Sequence, residues 1–201
     1  MESVYVGSNR KIDPSWRAHL KADGTPDLND RVEIGPTALA FSEWAAAGLT
    51  APDMPSLREY RLDRLQQQIR AHDCAGLLLF DPLNIRYATD TTNMQLWIAH
   101  NAARACFVPP SGKVILFDFH NCEHLSAHLP LVAEVRGGAS FFYFETGNRT
   151  DEHAASFVQQ ITELMATYAP GNKRLAVDKI EKAGYAALLA NGIDILDGQV
   201  L

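Results

Sequence analysis

Apolar residues recur at helical spacing in several stretches of the chain. The clearest covers residues 151–168, where apolar positions are three or four residues apart, and a second covers residues 56–72. This spacing places the apolar side chains on one face, so both stretches predict amphipathic helices. Shorter helices are predicted near residues 38–47 and over residues 182–190, the latter ended by an Asn-Gly pair.

Short uninterrupted apolar runs alternate with these helices. Such runs are typical of strands buried on both faces of a sheet. After the first run, Asp81 and Pro82 supply a helix N-cap and a first-turn proline. The strands are predicted at residues 75–80, 103–108, 113–119, 174–178 and 193–196, with a hairpin between the second and the third. This alternation predicts one α/β domain whose mixed sheet is covered by helices.

Residues 1–54 differ in composition from the rest of the chain. They contain scattered Gly, Pro, Asp and Asn residues, so we predict an extended N-terminal arm with turns and one short helix. A pair of prolines marks the boundary, and residues 55–201 form the predicted α/β domain. Because Trp16 and Trp44 are poor choices for a solvated tail, we expect the arm to pack on the domain or on a second subunit.

The composition is that of a mildly acidic globular protein. The chain has 201 residues, 47% of them hydrophobic, a formal net charge of -6 and a pI near 5.6. It lacks the clustered Lys and Arg that a phosphate backbone requires, which disfavours nucleic acid as a partner. We find no secretory leader and no run of about 18 apolar residues, so neither export nor membrane insertion is expected. Cys74, Cys106 and Cys122 are odd in number and lack CxxC spacing, which favours reduced thiols and a cytoplasmic setting.

Three histidines spaced by four residues form a candidate metal site. His124 and His128 would share one face of a helix, and His120 precedes them by one turn. Such a pair can chelate zinc, but the metallopeptidase signature needs Glu directly after the first His, and Leu125 follows His124 here. The competing interpretation is a solvated helix face, from which such spacing also arises.

Other catalytic patterns are not found. The sequence has no Gly-x-Ser-x-Gly elbow for a nucleophilic serine, and the cysteines lack neighbours that would lower a thiol pKa. Gly137 and Gly138 form an isolated pair, which predicts a turn rather than a phosphate-binding loop.

The stretch from Phe80 to Trp97 carries a family resemblance. Its Asn84-Ile-Arg-Tyr87 turn follows an apolar strand and an Asp-Pro pair, and it resembles the N-terminal domain of creatinase and aminopeptidase P, in the pita-bread metallohydrolase class. Three further segments are similar to the dimethylsulfoniopropionate lyase branch of that class: Arg31-Val-Glu-Ile-Gly-Pro-Thr37, Phe41-Ser-Glu-Trp-Ala-Ala-Ala-Gly48 and Thr91-Thr-Asn-Met-Gln-Leu-Trp97. The resemblance covers nearly the whole chain.

This resemblance implies chemistry carried by a separate domain. In the pita-bread class a C-terminal catalytic domain holds two metal ions through two Asp, one His and two Glu, and none of those motifs can be placed in this sequence. The lyase branch cleaves dimethylsulfoniopropionate to dimethyl sulfide and acrylate. The resemblance implies that a divalent metal, expected to be iron, anchors the substrate carboxylate while a carboxylate base removes the proton alpha to it. We therefore expect this chain alone to be inactive, with the metal bound by a catalytic domain beyond Leu201.

The resemblance also implies a homodimer formed through the N-terminal arm and domain, in which each N-terminal domain covers the active site of the other subunit. The segment with Asp90, Asn93, Met94, Leu96 and Trp97 has suitable chemistry to line that site. A sulfonium group is cationic and soft, so Trp97 offers a cation–π face while Met94 and Leu96 exclude water. Asp90 and Asn93 could orient the substrate by hydrogen bonds. Alternatively, these residues pack in a core or a dimer contact, or cap the backbone.

Two other groups of residues receive structural interpretations. Arg86 is expected to pair with Asp81 or Asp90, and Tyr87 to pack under the sheet. The segment Phe141-Phe-Tyr-Phe144 is continuously apolar, so it is predicted to be a buried or interface strand.

Three further functions stay open on the sequence alone. A proline-specific peptidase or creatinase-type hydrolase would use the same scaffold with a water nucleophile. The N-terminal arm, which resembles that of the lyase branch, disfavours this alternative. A free-standing noncatalytic dimerisation or binding module is the second alternative. The third is a small metal-dependent hydrolase built on His120, His124 and His128.

Overall fold

The molecule is built on a sheet whose strands run in both directions. The computed structural model describes residues 19–20, 26–27, 38–93, 95–119, 122, 125–126 and 129–201. The strands are β1 (His19–Leu20), β2 (Pro26–Asp27), β3 (Gly76–Leu79), β4 (Ala105–Val108), β5 (Val114–Phe117), β6 (Val132–Arg136), β7 (Arg174–Val177) and β8 (Asp194–Asp197). The helices are α1 (Ala38–Ala46), α2 (Met54–Ala71), α3 (Pro82–Thr89), α4 (Gln95–His100), α5 (Tyr143–Thr146), α6 (Thr150–Tyr168) and α7 (Lys182–Ala190), with turns of 3₁₀ helix at Gly147–Arg149 and Gly198–Val200.

Strand β3 lies inside a six-stranded sheet of order β6-β5-β4-β3-β7-β8. It pairs antiparallel with β4 and parallel with β7, and β4 pairs antiparallel with β5. The two outer pairs, β5 with β6 and β7 with β8, are parallel. The short strands β1 and β2 form a separate antiparallel pair. The predicted α/β domain with a mixed sheet covered by helices is confirmed.

Side chains of β3 enter two different cores. Leu78 and the following Phe80 face a core that also contains residues of α6 and α7, while Leu77 and Leu79 face a core that contains residues of α2 and α3. Each of the four is at most 3% exposed. Because successive side chains of a strand point to opposite faces, burial on both faces requires an unbroken apolar run.

Local capping sets the start of the helices that flank this strand. Asp53 caps α2 by accepting from the Ser56 N–H at 3.2 Å, and Asp81 caps α3 by accepting from the Leu83 N–H at 2.8 Å. The predicted cap at Asp81, with Pro82 in the first turn, is confirmed. The predicted domain boundary between residues 54 and 55 falls in the first turn of α2 and stays a prediction.

The short helix predicted near residues 38–47 is confirmed as α1, and none of its residues is buried. Trp44 in this helix makes an edge-on contact with Phe41, with ring centroids 5.6 Å apart. Trp16 lies outside the described residues. Among the helices that the structure describes, none is both long enough and apolar enough to cross a membrane.

The strand predicted at residues 141–144 is wrong. The backbone forms the helix α5 there, because the carbonyl oxygen of Phe142 accepts hydrogen bonds from both the N–H and the hydroxyl of Thr146, at 3.1 and 3.0 Å. Phe141 and Phe142 are buried, whereas Tyr143 and Phe144 are 72% and 79% exposed. Strand β6 and helix α4 were not predicted at all. Strand β6 lies at the sheet edge and contains charged residues, so its sequence lacks the apolar run of the inner strands.

Close packing of β3 against β4 leaves no space for a side chain at Gly76. A Cβ there would lie 2.6 Å from two atoms of the Phe107 ring and 3.1 Å from the Val108 carbonyl oxygen. We expect Gly76→Ala to lower the free energy of unfolding by about 1–3 kcal/mol, because Phe107 is fully buried and has no room to move.

Gly137→Ala is the matched control, since no atom of the described residues lies within 4 Å of its Cβ position and its φ is not positive. Its effect should stay within about 0.5 kcal/mol. Urea unfolding of both variants checks this expectation, which equal losses would contradict.

Candidate functional site

Of the residues predicted to line a pocket, Asp90 and Asn93 lie between α3 and α4, while Leu96 and Trp97 belong to α4. Helix α3 ends at Thr89, and Asp90 follows with φ 62° and ψ 20°, in the left-handed region. Asp is among the few non-glycine residues that adopt this conformation readily. The turn at Asp90 directs the chain through Thr91 and Asn93 into α4, which carries Trp97.

The Asp90 side chain faces the protein interior. It is 5% exposed, and its Oδ2 accepts from Arg58 Nε at 2.8 Å. Arg61 Nη1 lies 3.7 Å from Oδ1, and the Arg61 guanidinium lies over the Tyr87 ring, 5.6 Å from its centroid. Asp90 therefore ties the end of α3 to α2, and direct contact between Asp90 and a substrate stays a prediction.

Asn93 is held by a buried ion pair. Arg104 is 0% exposed and Asp118 4% exposed, and Arg104 Nε donates to Asp118 Oδ2 at 3.0 Å. The other carboxylate oxygen, Oδ1, accepts from Asn93 Nδ2 and from the Phe119 N–H, both at 2.8 Å. Burying a carboxylate is costly unless an opposite charge and hydrogen bonds replace its water, and Asp118 has both. A role of Asn93 in orienting substrate likewise stays a prediction.

The other side of the Arg104 guanidinium holds two further segments. Its Nη2 donates to Thr91 Oγ1 and, at 3.2 Å, to Ser126 Oγ. Its Nη1 is buried and has no acceptor among the described residues. We call Thr91, Asn93, Arg104, Asp118 and Ser126 the buried polar cluster. This cluster fastens the segment that leads into α4 to two segments that follow β5.

Arg104 and Asp118 were not predicted from the sequence as functional residues. Both are charged, and both fall inside apolar runs that were predicted as buried strands. A charged residue is almost never fully buried unless it is paired, so this position was an available signal for a buried ion pair. It would not have identified which charged residue pairs with which.

Trp97 faces outward from the same region. It is 40% exposed and makes an edge-on contact with the ring of Phe144, with centroids 5.8 Å apart and planes at 67°. Met94 lies outside the described residues. The backbone of Leu96 belongs to α4, and its side chain lies outside the described part of the structure. The structure therefore exposes an aromatic surface where a pocket wall was predicted.

The residues of the family motif bind to the protein itself. Asn84 Nδ2 donates to Asp178 Oδ2 at 3.0 Å, and the same carboxylate accepts from the backbone N–H groups of Phe80, Asp81 and Lys179. Asp178 follows β7, so it joins the ends of the neighbouring parallel strands β3 and β7. The expected pairing of Arg86 is wrong: of its two expected partners, Asp81 pairs with Lys179 at 3.4 Å, and Asp90 with the arginines of α2.

An open groove of about 460 Å³ lies between α2, α3 and the last residues of the chain. Leu65, Leu83 and Tyr87 contribute apolar surface to it, and Asn84 and Gln199 are among its polar groups. Tyr87 is half-buried at this groove rather than packed under the sheet. Both polar side chains are already bonded to Asp178, so the groove offers mainly apolar surface.

Two of the cysteines are core residues, as predicted. Cys74 and Cys106 are both buried. Burial raises the pKa of the Cys106 thiol to about 12, and burial is also the main reason that the pKa of Cys74 is raised. Because the thiolate is the nucleophile, both thiols are unreactive near neutral pH.

The part of the chain that the structure describes contains no cluster of metal-binding side chains: no three His, Cys, Asp or Glu residues there lie close enough together to hold a metal ion. His120, His124 and His128 lie outside it, so the histidine site stays a prediction. The described residues therefore provide no set of ligands for the expected divalent metal.

The fold and the anchored motif define the class of this protein: it is an α/β domain of the creatinase type. The chain belongs to the Creatinase/Prolidase N-terminal domain family, whose model matches residues 61–188. The predicted family resemblance is thereby confirmed.

Two curated relatives match almost the whole chain. One is the dimethylsulfoniopropionate lyase DddP of Roseovarius nubinhibens, 50% identical over 197 residues, which are 98% of this chain and 44% of that protein. The other is the dimethylsulfoniopropionate lyase DddP of Roseobacter denitrificans, 48% identical over 97% of this chain and 43% of that protein. The chain thus spans less than half the length of either relative.

Solved structures of proline peptidases show a more distant similarity. An Xaa-Pro aminopeptidase from Streptococcus pyogenes is 16% identical with a TM-score of 0.46, over 71% of this chain and 92% of that chain. An Xaa-Pro dipeptidase from Bacillus anthracis is 16% identical with a TM-score of 0.45, over 69% of this chain and 33% of that chain.

The buried polar cluster gives a prediction about stability. Asp118→Asn keeps the shape of the side chain but leaves the Arg104 charge buried without its counter-charge. We expect a loss of about 3–5 kcal/mol in the free energy of unfolding, measured by urea denaturation.

Glu152→Gln is the control, because it removes one partner of an ion pair with Arg149 in which both side chains are well exposed. Water solvates both of those charges, so this variant should unfold like the wild type. An Asp118→Asn variant as stable as this control would show that the buried pair contributes little.

Proposed function

We propose that this chain is the N-terminal domain of a metal-dependent dimethylsulfoniopropionate lyase, an enzyme that forms dimethyl sulfide and acrylate. The observation that carries the proposal is the identity of 50% and 48% to two proteins of that name over 98% and 97% of this chain. The match spans nearly the whole chain and so extends over surface segments as well as the core. The exposed aromatic surface is the structural feature that fits a cationic substrate.

In this proposal the reacting groups belong to a catalytic domain in the same polypeptide. The two relatives are more than twice as long as the part that matches this chain, which leaves room for such a domain in them. Metal dependence, with iron as the expected ion, is part of the proposal, and the ligands would lie outside the described residues. We also propose a cytoplasmic location, in keeping with three free cysteines.

The N-terminal domain would act as a dimerisation element and as a lid over the active site of the partner subunit. Trp97 would present its ring to the sulfonium group, because a cation lying over an indole ring is stabilised, most strongly when water is excluded. Met94 and Leu96 would exclude water beside it. Asp90 and Asn93 would act by position, since their bonds to Arg58 and Asp118 hold the two ends of the segment that precedes Trp97.

A product assay tests the proposed reaction. The complete reading frame, purified with its metal, should release dimethyl sulfide and acrylate in equal amounts from dimethylsulfoniopropionate, followed by headspace gas chromatography and liquid chromatography. Hydrolysis of Xaa-Pro dipeptides without dimethyl sulfide would point instead to a proline-specific peptidase. Neither activity would favour a noncatalytic dimerisation or binding module.

The lid role predicts the behaviour of Trp97→Ala. We expect kcat/KM for dimethylsulfoniopropionate to fall about 10-fold in the full-length enzyme, because a desolvated cation–π contact is worth about 1–2 kcal/mol. Metal content and circular dichroism should stay unchanged, and Trp97→Phe should restore most of the loss. Wild-type kinetics in Trp97→Ala would remove Trp97 from the pocket.

Subunit mixing tests whether the lid acts on the partner. A Trp97→Ala subunit combined with a subunit inactivated in its catalytic domain forms a heterodimer, and its intact catalytic site is covered by an intact Trp97. Activity should therefore recover on mixing. If Trp97 acts on its own subunit, no recovery will occur.

A further inference from the structure

Phe144 is a large apolar residue whose exposure the fold does not require. Its neighbours Phe141 and Phe142 are 1% and 9% exposed, while Phe144 is 79% exposed. One exposed aromatic residue on a protein surface is ordinary. Here, however, the ring contacts a second exposed ring, that of Trp97, so the two form one continuous apolar surface.

The segment that carries Phe144 is firmly held. The Phe141 ring packs against Phe80 and Phe157 in the core, with centroids 5.8 and 5.3 Å away. On the other side, the hydroxyl group of Thr146 donates to the Phe142 carbonyl oxygen at 3.0 Å, and that of Thr150 donates to the Gly147 carbonyl oxygen at 2.8 Å. The backbone under Phe144 is thus fixed at both ends, which keeps the ring at a defined place beside Trp97.

The two rings meet at a wide angle. Their planes are inclined by 67° and their centroids are 5.8 Å apart, so they form what we call the aromatic corner of Trp97 and Phe144. The faces of aromatic rings carry partial negative charge, and rings that enclose a methylated cation from several sides are a recurrent way to bind quaternary ammonium groups. A trimethyl- or dimethyl-substituted cation has the size and charge that such a corner accepts.

We infer that Phe144 is a specificity-determining residue that, together with Trp97, recognises the positive charge of a methylated onium group, here the dimethylsulfonium group of the substrate. This inference rests on the proposed function and adds to it a second aromatic wall on a different helix. In this inference Phe144 selects for the positive charge of the substrate and does more than supply apolar contact.

The decisive experiment compares a cation with its uncharged isostere in the full-length enzyme. Isocaproate has the skeleton of dimethylsulfoniopropionate with CH in place of the sulfonium sulfur. In Phe144→Leu, which keeps an apolar side chain but loses the π face, we expect KM for dimethylsulfoniopropionate to rise about 10-fold. The inhibition constant of isocaproate should stay within about 2-fold of the wild type, because apolar contact is retained.

Two further variants serve as comparisons. Phe144→Tyr keeps an aromatic ring and should behave like the wild type. Tyr185→Leu removes another exposed aromatic residue, one that lies on α7, and should also leave both constants unchanged.

Each other outcome overturns the inference. Unchanged KM in Phe144→Leu excludes Phe144 from recognition, and equal weakening of substrate and isocaproate reduces its role to packing. A loss in Phe144→Tyr as large as in Phe144→Leu would also exclude a π contact. If the wild type releases dimethyl sulfide and only Trp97→Ala is impaired, the inference fails and the proposed function stands. If the wild type releases none, both fail.

Discussion

The buried ion pair between Arg104 and Asp118 is the interaction on which the candidate site depends. Both side chains are removed from water, and this is tolerable only because each supplies the partner that the other has lost. The planar guanidinium carries five N–H donors that point in different directions, so one side chain reaches Thr91 and Ser126 as well as Asp118. These partners lie in segments without regular secondary structure, and their bonds to Arg104 hold those segments in a single conformation.

Some side chains of the site anchor it to the domain, and others face outward. Asp90 and Asn93 turn inward, where the arginines of α2 and the Asp118 carboxylate hold them. Trp97 and Phe144 turn outward. The segment that leads to Trp97 is held by these contacts, and the segment of Phe144 by the core packing of Phe141 and the Thr146 hydroxyl. A surface that is ordered before it binds loses less conformational entropy on binding. This arrangement fits the proposed function, in which this domain would shape a pocket and another domain would supply the reacting groups.

The fold is compatible with more than one reaction, so the exposed side chains are more informative about function. The family name joins creatinase with prolidase, and two relatives that match nearly the whole chain are lyases, so one domain fold accompanies different reactions. The anchoring of Asn84 on Asp178 serves that common scaffold, since it joins α3 to the neighbouring ends of two parallel strands. Trp97 and Phe144 are not part of this common scaffold, because the packing of the sheet does not require their side chains.

The sequence by itself determined the family, the α/β class and the elements with strong local signals. The apolar run of β3, the Asp81-Pro82 start of α3 and the spacing of apolar residues along α6 each depend on neighbours a few positions away, so they could be predicted. The edge strand β6 and the helical turn at Phe144 could not, because their local patterns are weak or misleading. Only the tertiary structure decided which charges pair and which rings meet. Arg58 and Asp90 are 32 residues apart, Arg104 and Asp118 are 14 residues apart, and Trp97 meets Phe144 from another helix. Such contacts form only once the folded sheet and its helices have brought these segments together, and many charged or aromatic residues could have paired in their place.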